Sequence, residues 1–118
     1  MLKLSLLVGT TALLAAGAFH LELKSSLPVK DTTLSSSPKT VSLTFSEAVN
    51  AKLAAISILR SDSTEVEKLT VTTTKDPATI EGSLKTVLPA GRYLVRWRAS
   101  SDDGHVVRQV FAFSVAGH

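Results

Sequence analysis

The fold class is decided by the stretch Arg92-Tyr-Leu-Val-Arg-Trp-Arg98, which places Tyr93, Val95 and Trp97 on one face of an extended chain. Successive side chains of a β-strand point to opposite sides, so a period of two indicates a half-buried strand. The same kind of pattern, or a β-branched apolar run, recurs at 21–23, 39–45, 54–59, 68–74, 79–84 and 107–115. The chain is therefore predicted to be all-β.

Turn-forming residues separate these runs, notably Asp76-Pro77, Pro89-Ala-Gly91 and Asp103-Gly104. About seven short strands at this spacing predict an immunoglobulin-like, Greek-key β-sandwich or barrel. The segment 46–53 follows a strand too closely to form a long helix. It is interpreted as a loop with one helical turn.

The first 18 residues are interpreted as a secretory signal peptide. Met1-Leu-Lys3 supplies one positive charge, an apolar run follows, and Ala15-Ala-Gly-Ala18 offers the small residues that signal peptidase requires. The alternative is a membrane anchor, but the apolar run is shorter than the ~20 residues that span a bilayer. The predicted mature domain is therefore 19–118, and this domain is expected to be exported. Cleavage after residue 19 is the second choice.

Composition excludes several kinds of function. The chain has no cysteine, which rules out disulfides, thiolate metal sites and cysteine nucleophiles. Its formal net charge of +3 is mild, and its Lys and Arg residues are scattered along the sequence, so nucleic acid is not an expected partner. No nucleophile-elbow motif, paired carboxylates or phosphate-binding loop is present.

The sequence Ser101-Asp-Asp-Gly-His105 is the best candidate for chemistry. Gly104 allows a tight bend that turns Asp103 and His105 toward one point, and a carboxylate with an imidazole suits copper or zinc. The alternative is an ordinary hairpin turn, for which Asp-Gly is a strong signal. Spacing alone leaves both interpretations open.

His20 lies next to the predicted cleavage site, where an α-amine and a ring nitrogen can chelate one metal ion. Together with Asp103 and His105 it would supply the nitrogen and oxygen donors that suit Cu(II). A histidine after a signal peptide is also often incidental. His118, at the chain end, is assigned no role.

Five segments in order resemble the CopC-type periplasmic copper-binding proteins of bacteria, over 20–115. They are His-Leu-Glu-Leu-Lys-Ser-Ser-Leu-Pro at 20–28, Val-Ser-Leu-Thr-Phe-Ser-Glu-Ala-Val at 41–49, Leu-Pro-Ala-Gly-Arg-Tyr-Leu-Val-Arg-Trp-Arg at 88–98, Ser-Asp-Asp-Gly-His at 101–105 and Phe-Ala-Phe-Ser-Val at 111–115. Each segment alone is weak, but the five in this order are specific.

The resemblance implies a seven-stranded Greek-key domain in the periplasm with one high-affinity Cu(II) ion. It implies His20, Asp103 and His105 as the ligands, with Glu47 as a residue that supports a ligand. Thr44 replaces a histidine that some members carry. The chain has no methionine after Met1, so no methionine-built Cu(I) site is expected.

Phe19 is a further departure from the family pattern. Cleavage after Ala18 fits the small-residue rule and leaves Phe19 as the N-terminus, whereas cleavage after Phe19 frees the His20 amine. In the first case, the Phe19 amine and the His20 ring can still chelate through the intervening amide.

The leading function is therefore a copper-binding protein, not an enzyme, that sequesters or carries Cu(II) in copper homeostasis or resistance. An inner-membrane copper transport protein is the expected partner. The second candidate is a copper-dependent oxidative enzyme with a histidine-brace-like site. Against it, Asp103 would occupy a position that oxygen chemistry leaves open. A metal-free interaction module is the third.

Overall fold

The computed structural model describes residues 20–117, so the predicted signal peptide at 1–18 and His118 lie outside the described residues. Nine strands form in this range, with one short 3₁₀ turn at Ala51–Leu53. The strands are β1 Leu23–Leu27, β2 Thr33–Leu34, β3 Thr40–Phe45, β4 Ala55–Arg60, β5 Glu65–Lys68, β6 Thr70–Thr73, β7 Thr79–Ser83, β8 Gly91–Ser100 and β9 Val106–Val115. Within 20–117, no helix is long and apolar enough to cross a membrane.

The strands form two sheets, which confirms the predicted all-β class. The four-stranded sheet has the order β1-β3-β7-β6, and the five-stranded sheet has the order β2-β9-β8-β4-β5. Every pairing is antiparallel except that of β2 with the end of β9. The predicted one-turn helix in the 46–53 loop is also present, at Ala51–Leu53.

The described part has nine strands where the sequence pattern predicted about seven. The two-residue β2 is too short to give any alternation. The predicted strand at 68–74 corresponds to β6, whereas β5 lies almost entirely before it and was not predicted. The two strands are separated by Leu69, and β5 pairs with β4 in one sheet while β6 pairs with β7 in the other. Leu69 is 4% exposed, and its N–H donates to the Ile56 carbonyl at 2.9 Å where the chain changes sheets.

The core lies between the inner faces of the two sheets. Val41, Leu43 and Phe45 of β3 face Val95 and Trp97 of β8 across it, and all five are almost fully buried. Burial of a side chain of this size stabilises the fold by about 1.5–3 kcal/mol. The alternation in the sequence is thus the direct consequence of one buried face per strand.

Two aromatic contacts organise this core. Phe45 meets Trp97 edge to face, with ring centroids 5.1 Å apart, and this contact joins the two sheets. Tyr93 stacks on Phe113 within the five-stranded sheet at 5.8 Å. The Tyr93 hydroxyl donates to the Pro89 carbonyl at 2.6 Å, which ties the turn before β8 to the end of the sandwich.

Close packing predicts that Gly82 cannot be enlarged. A Cβ atom placed on Gly82 would lie 2.8 Å from both Cβ and Cδ1 of Leu69, the buried residue at the sheet crossing. We expect Gly82→Ala to destabilise the protein by about 1–3 kcal/mol, measured by urea unfolding. Gly117→Ala is the matched control, since its Cβ would meet Ala90 at an ordinary 3.7 Å. Equal stability of the two variants would contradict this packing.

The Glu67 carboxylate predicts a pH dependence of stability. It accepts hydrogen bonds from the backbone N–H groups of Lys85 and Thr86 at 2.8–3.1 Å, which hold the pKa of Glu67 below its usual range. A depressed folded-state pKa gives stability that is present above about pH 4.5 and is lost as pH falls through the folded value.

We therefore expect Glu67→Gln to be less stable than the wild type at pH 7. The difference should shrink on acidification and vanish once the wild-type carboxyl is protonated. Urea unfolding at several pH values measures it. A difference that is constant with pH would assign the effect to packing.

Candidate metal site

The Asp103-Gly104-His105 turn connects β8 to β9. The Gly104 N–H donates to the Ser101 carbonyl at 3.1 Å, and Gly104 has a positive φ of 83°, a conformation that glycine adopts without strain. The end of β8 that leads into this turn is bonded to the loop between β3 and β4, because the Asn50 N–H donates to the Ser100 carbonyl at 2.8 Å. The turn that the sequence predicted is therefore present.

The Asp103 carboxylate is held in place inside this turn. Its Oδ1 accepts from the Ser101 hydroxyl at 2.8 Å and from the His105 backbone N–H at 2.9 Å. The His105 N–H and then the Ser101 hydroxyl lower the pKa of Asp103, since both bonds favour the charged form. Asp103 is thus a fixed anion at neutral pH, with one oxygen committed to the turn.

The His105 ring lies beside the second carboxylate oxygen. Its Nδ1 is 3.3 Å from Asp103 Oδ2, a long contact for a hydrogen bond, and its side chain is 85% exposed. No packing holds the ring in one rotamer at this exposure. It is free to turn toward a ligand without disturbing the core.

The N-terminal segment brings His20 to the same place. Leu21 is 7% exposed and belongs to the core, which anchors the residue before it. Glu22 and Ser46 exchange two hydrogen bonds, since the Ser46 N–H donates to the Glu22 carbonyl at 2.8 Å and the Glu22 N–H donates to Ser46 Oγ at 2.9 Å. These contacts fix the path of the chain at His20 just before β1 begins.

One small pocket is lined by all three predicted ligands. Its walls are His20, Leu21, Ser101, Asp103, His105 and Val107. His20 comes from the segment before the four-stranded sheet, whereas Asp103 and His105 come from a loop of the five-stranded sheet. The fold therefore joins residues far apart in sequence, which spacing along the chain could not have predicted.

The three side chains share a pocket but are not arranged around a common point. Within residues 20–117, no group of three His, Asp or Glu side chains is close enough to hold a metal ion as it stands. Two imidazoles and one carboxylate are a donor set that suits Cu(II) or zinc. Because the three side chains do not surround one point, binding of a metal ion would require the exposed imidazole rings to rotate. Their role as ligands stays a prediction.

Glu47 is not brought to this pocket. Its side chain is exposed, and no hydrogen bond or ion pair joins it to His20, Asp103 or His105. Its supporting role stays a prediction without a contact behind it. The residue that the sequence interpretation missed is Ser101, which is buried and holds Asp103. The signal was a hydroxyl two residues before the carboxylate, a spacing that occurs in many ordinary turns.

Comparison with known proteins gives three consistent matches. The chain is 32% identical over 103 residues to copper resistance protein C of Escherichia coli, covering 81% of each chain. The crystal structure of CopC from Methylosinus trichosporium OB3b superposes with a TM-score of 0.77 at 30% identity, covering 84% of this chain and 96% of that one. The crystal structure of PcoC, a methionine-rich copper resistance protein from Escherichia coli, superposes with a TM-score of 0.66 at 32% identity. That match covers 81% of this chain and 98% of the PcoC chain.

The family model described as the CopC domain matches residues 23–116. This range includes Glu47, Asp103 and His105, and it begins three residues after His20. The match extends over most of the chain and agrees with the two-sheet fold of the solved relatives. The chain is a member of the CopC family.

Proposed function

We propose that this protein binds one Cu(II) ion through His20, Asp103 and His105 and sequesters or carries it in the periplasm, in copper homeostasis or resistance. The observation that carries the proposal is the single pocket lined by these three side chains. The relatives named as copper resistance proteins give it further support. We assign the chain no catalytic activity.

Each ligand has a distinct part in this proposal. Asp103 supplies a negative charge whose position is set by Ser101 before any ion arrives. The imidazoles of His20 and His105 supply nitrogen donors, and the metal must displace their protons to bind, so acid should release it. Because His105 is 85% exposed, an incoming ligand from another protein can reach the ion without opening the core.

We propose that the chain has no Cu(I) site. Its only methionine is Met1, inside the predicted signal peptide, whereas the Escherichia coli relative PcoC is described as methionine-rich. Soft thioether or thiolate ligands are what selects Cu(I), and the predicted mature chain has neither. The proposed partner, a copper transport protein of the inner membrane, would thus exchange Cu(II).

The ligand assignment predicts the outcome of a Cu(II) titration of the exported protein. The wild type should bind one equivalent tightly, and His105→Ala should lose that binding because the pocket keeps only one imidazole. Asp103→Asn should weaken it by at least tenfold, since the fixed negative charge is lost. Isothermal titration with a competing chelator measures all three proteins.

Asp102→Asn is the matched control for the second variant. Asp102 is the adjacent, exposed carboxylate of the same turn, and it does not line the pocket. We expect its copper affinity to stay within about twofold of the wild type, because the Asp102 carboxylate does not line the pocket and interacts with the ion only through water. Tight Cu(II) binding by His105→Ala would contradict the proposed site.

The predicted signal cleavage gives a further test of the His20 ligand. Cleavage after Ala18 should yield an exported protein whose intact mass starts at Phe19, measured by mass spectrometry. In that case His20 can contribute its ring but not an α-amine. A mass that starts at His20 would contradict the predicted cut and would restore the amine and ring of one residue as a chelating pair.

A further inference from the structure

A second surface feature lies on the outer face of the five-stranded sheet. It is a groove that runs across β4, β5, β8 and β9, and four cationic side chains line it: Lys68, Arg96, Arg98 and Arg108. Glu65 is the one carboxylate among the lining residues. We call this feature the basic groove.

The strand pattern explains why the cations gather here. Val95 and Trp97 point into the core, so Arg96 and Arg98 must point outward from β8. The register of β8 with β9 places Arg98 directly opposite Arg108. Like charges in that position repel each other and destabilise a sheet.

Most of the positive charge in the basic groove is uncompensated. Four cations against one carboxylate leave three positive charges, as many as the formal net charge of +3 of the entire chain. Arg96 reaches Glu65 at 3.4 Å, with both side chains about half exposed. Within 20–117, Lys68 and Arg108 form no side-chain hydrogen bond or ion pair with another residue.

The geometry of the groove favours carboxylates of a protein segment. The guanidinium of Arg98 is oriented, because its Nε donates to the Leu53 carbonyl at 3.2 Å, and an oriented guanidinium binds carboxylates with two parallel hydrogen bonds. Val110 lines the groove and is 52% exposed, which offers an apolar contact beside the charges. Among the residues that line the groove, the one aromatic side chain is Trp97, which is 1% exposed, so its ring cannot stack on bases.

The groove is also close to the proposed copper site. Arg108 lies in β9, three residues after His105, which directly precedes that strand; three residues of extended chain span about 10 Å. A protein segment seated on Arg108 would therefore hold the rest of its chain near the turn. Opposite charges on the two proteins would also accelerate their encounter.

We propose that the basic groove docks an acidic segment of the protein that exchanges copper with this chain. The partner's segment carries carboxylates for Arg98 and Arg108 and an apolar side chain for Val110. The exchange role rests on the proposed function, whereas the docking of an acidic segment rests on the groove itself.

The test uses the exported protein and a fluorescein-labelled synthetic peptide in which glutamate alternates with valine. Fluorescence anisotropy at about 20 mM salt should show binding of this peptide, and its glutamine counterpart should not bind. Arg108→Glu should weaken binding by tenfold or more. This variant should fold, because it places an opposite charge across from Arg98.

Arg92→Glu is the matched control. Arg92 is an exposed arginine of the same strand β8, outside the basic groove, and its reversal changes the net charge equally. We expect Arg92→Glu to change the affinity for the glutamate peptide by less than twofold. Equal weakening in the two variants would overturn the proposal, because net charge alone would then explain it.

Two further measurements separate the alternatives. The first measurement tests phosphatidylglycerol vesicles and duplex DNA as ligands. If the wild type binds either of them but not the glutamate peptide, and Arg108→Glu abolishes that binding, the proposal of a protein partner is overturned. Cu(II) titration of Arg108→Glu should match the wild type. In the wild type, normal copper binding without binding of the glutamate peptide would defeat the docking surface alone. Peptide binding by a wild type that has no copper affinity would defeat the proposed function alone.

Discussion

The contact of Phe45 with Trp97 is the interaction on which the site depends, because it fixes the two sheets against each other. Phe45 ends β3, and the next residue, Ser46, holds the segment that carries His20. Trp97 lies in β8, three residues before the buried Ser100 that begins the turn of Asp103 and His105. The two halves of the pocket belong to different sheets, so packing between the sheets sets their separation.

The sequence predicted the strands whose inner faces are fully buried. Val41, Leu43 and Phe45 alternate with polar residues because one side of β3 meets the core and the other does not. It did not predict β2, β5 or the change of sheets at Leu69. Two residues are too few for a period, and a buried leucine at a sheet crossing looks like any strand leucine in a single sequence.

The sequence predicted only part of the candidate site. Asp103 and His105 are neighbours in sequence, so their proximity could be predicted. His20 was combined with them first for its donor chemistry at the predicted N-terminus and then by the family resemblance. Ser101 and the basic groove were missed. Arg98 and Arg108 look scattered along the chain, and only the register of β8 with β9 places them opposite each other.

The division of the pocket between two sheets gives a bound ion a mechanical part in the fold. The chain has no cysteine, so no disulfide within it can join one sheet to the other. An ion held by His20 and by the turn at Asp103 would be a reversible cross-link between the first and last parts of the domain, closing most of the chain into a loop. Such a link would restrict the unfolded chain as a disulfide does, but only while the ion is bound.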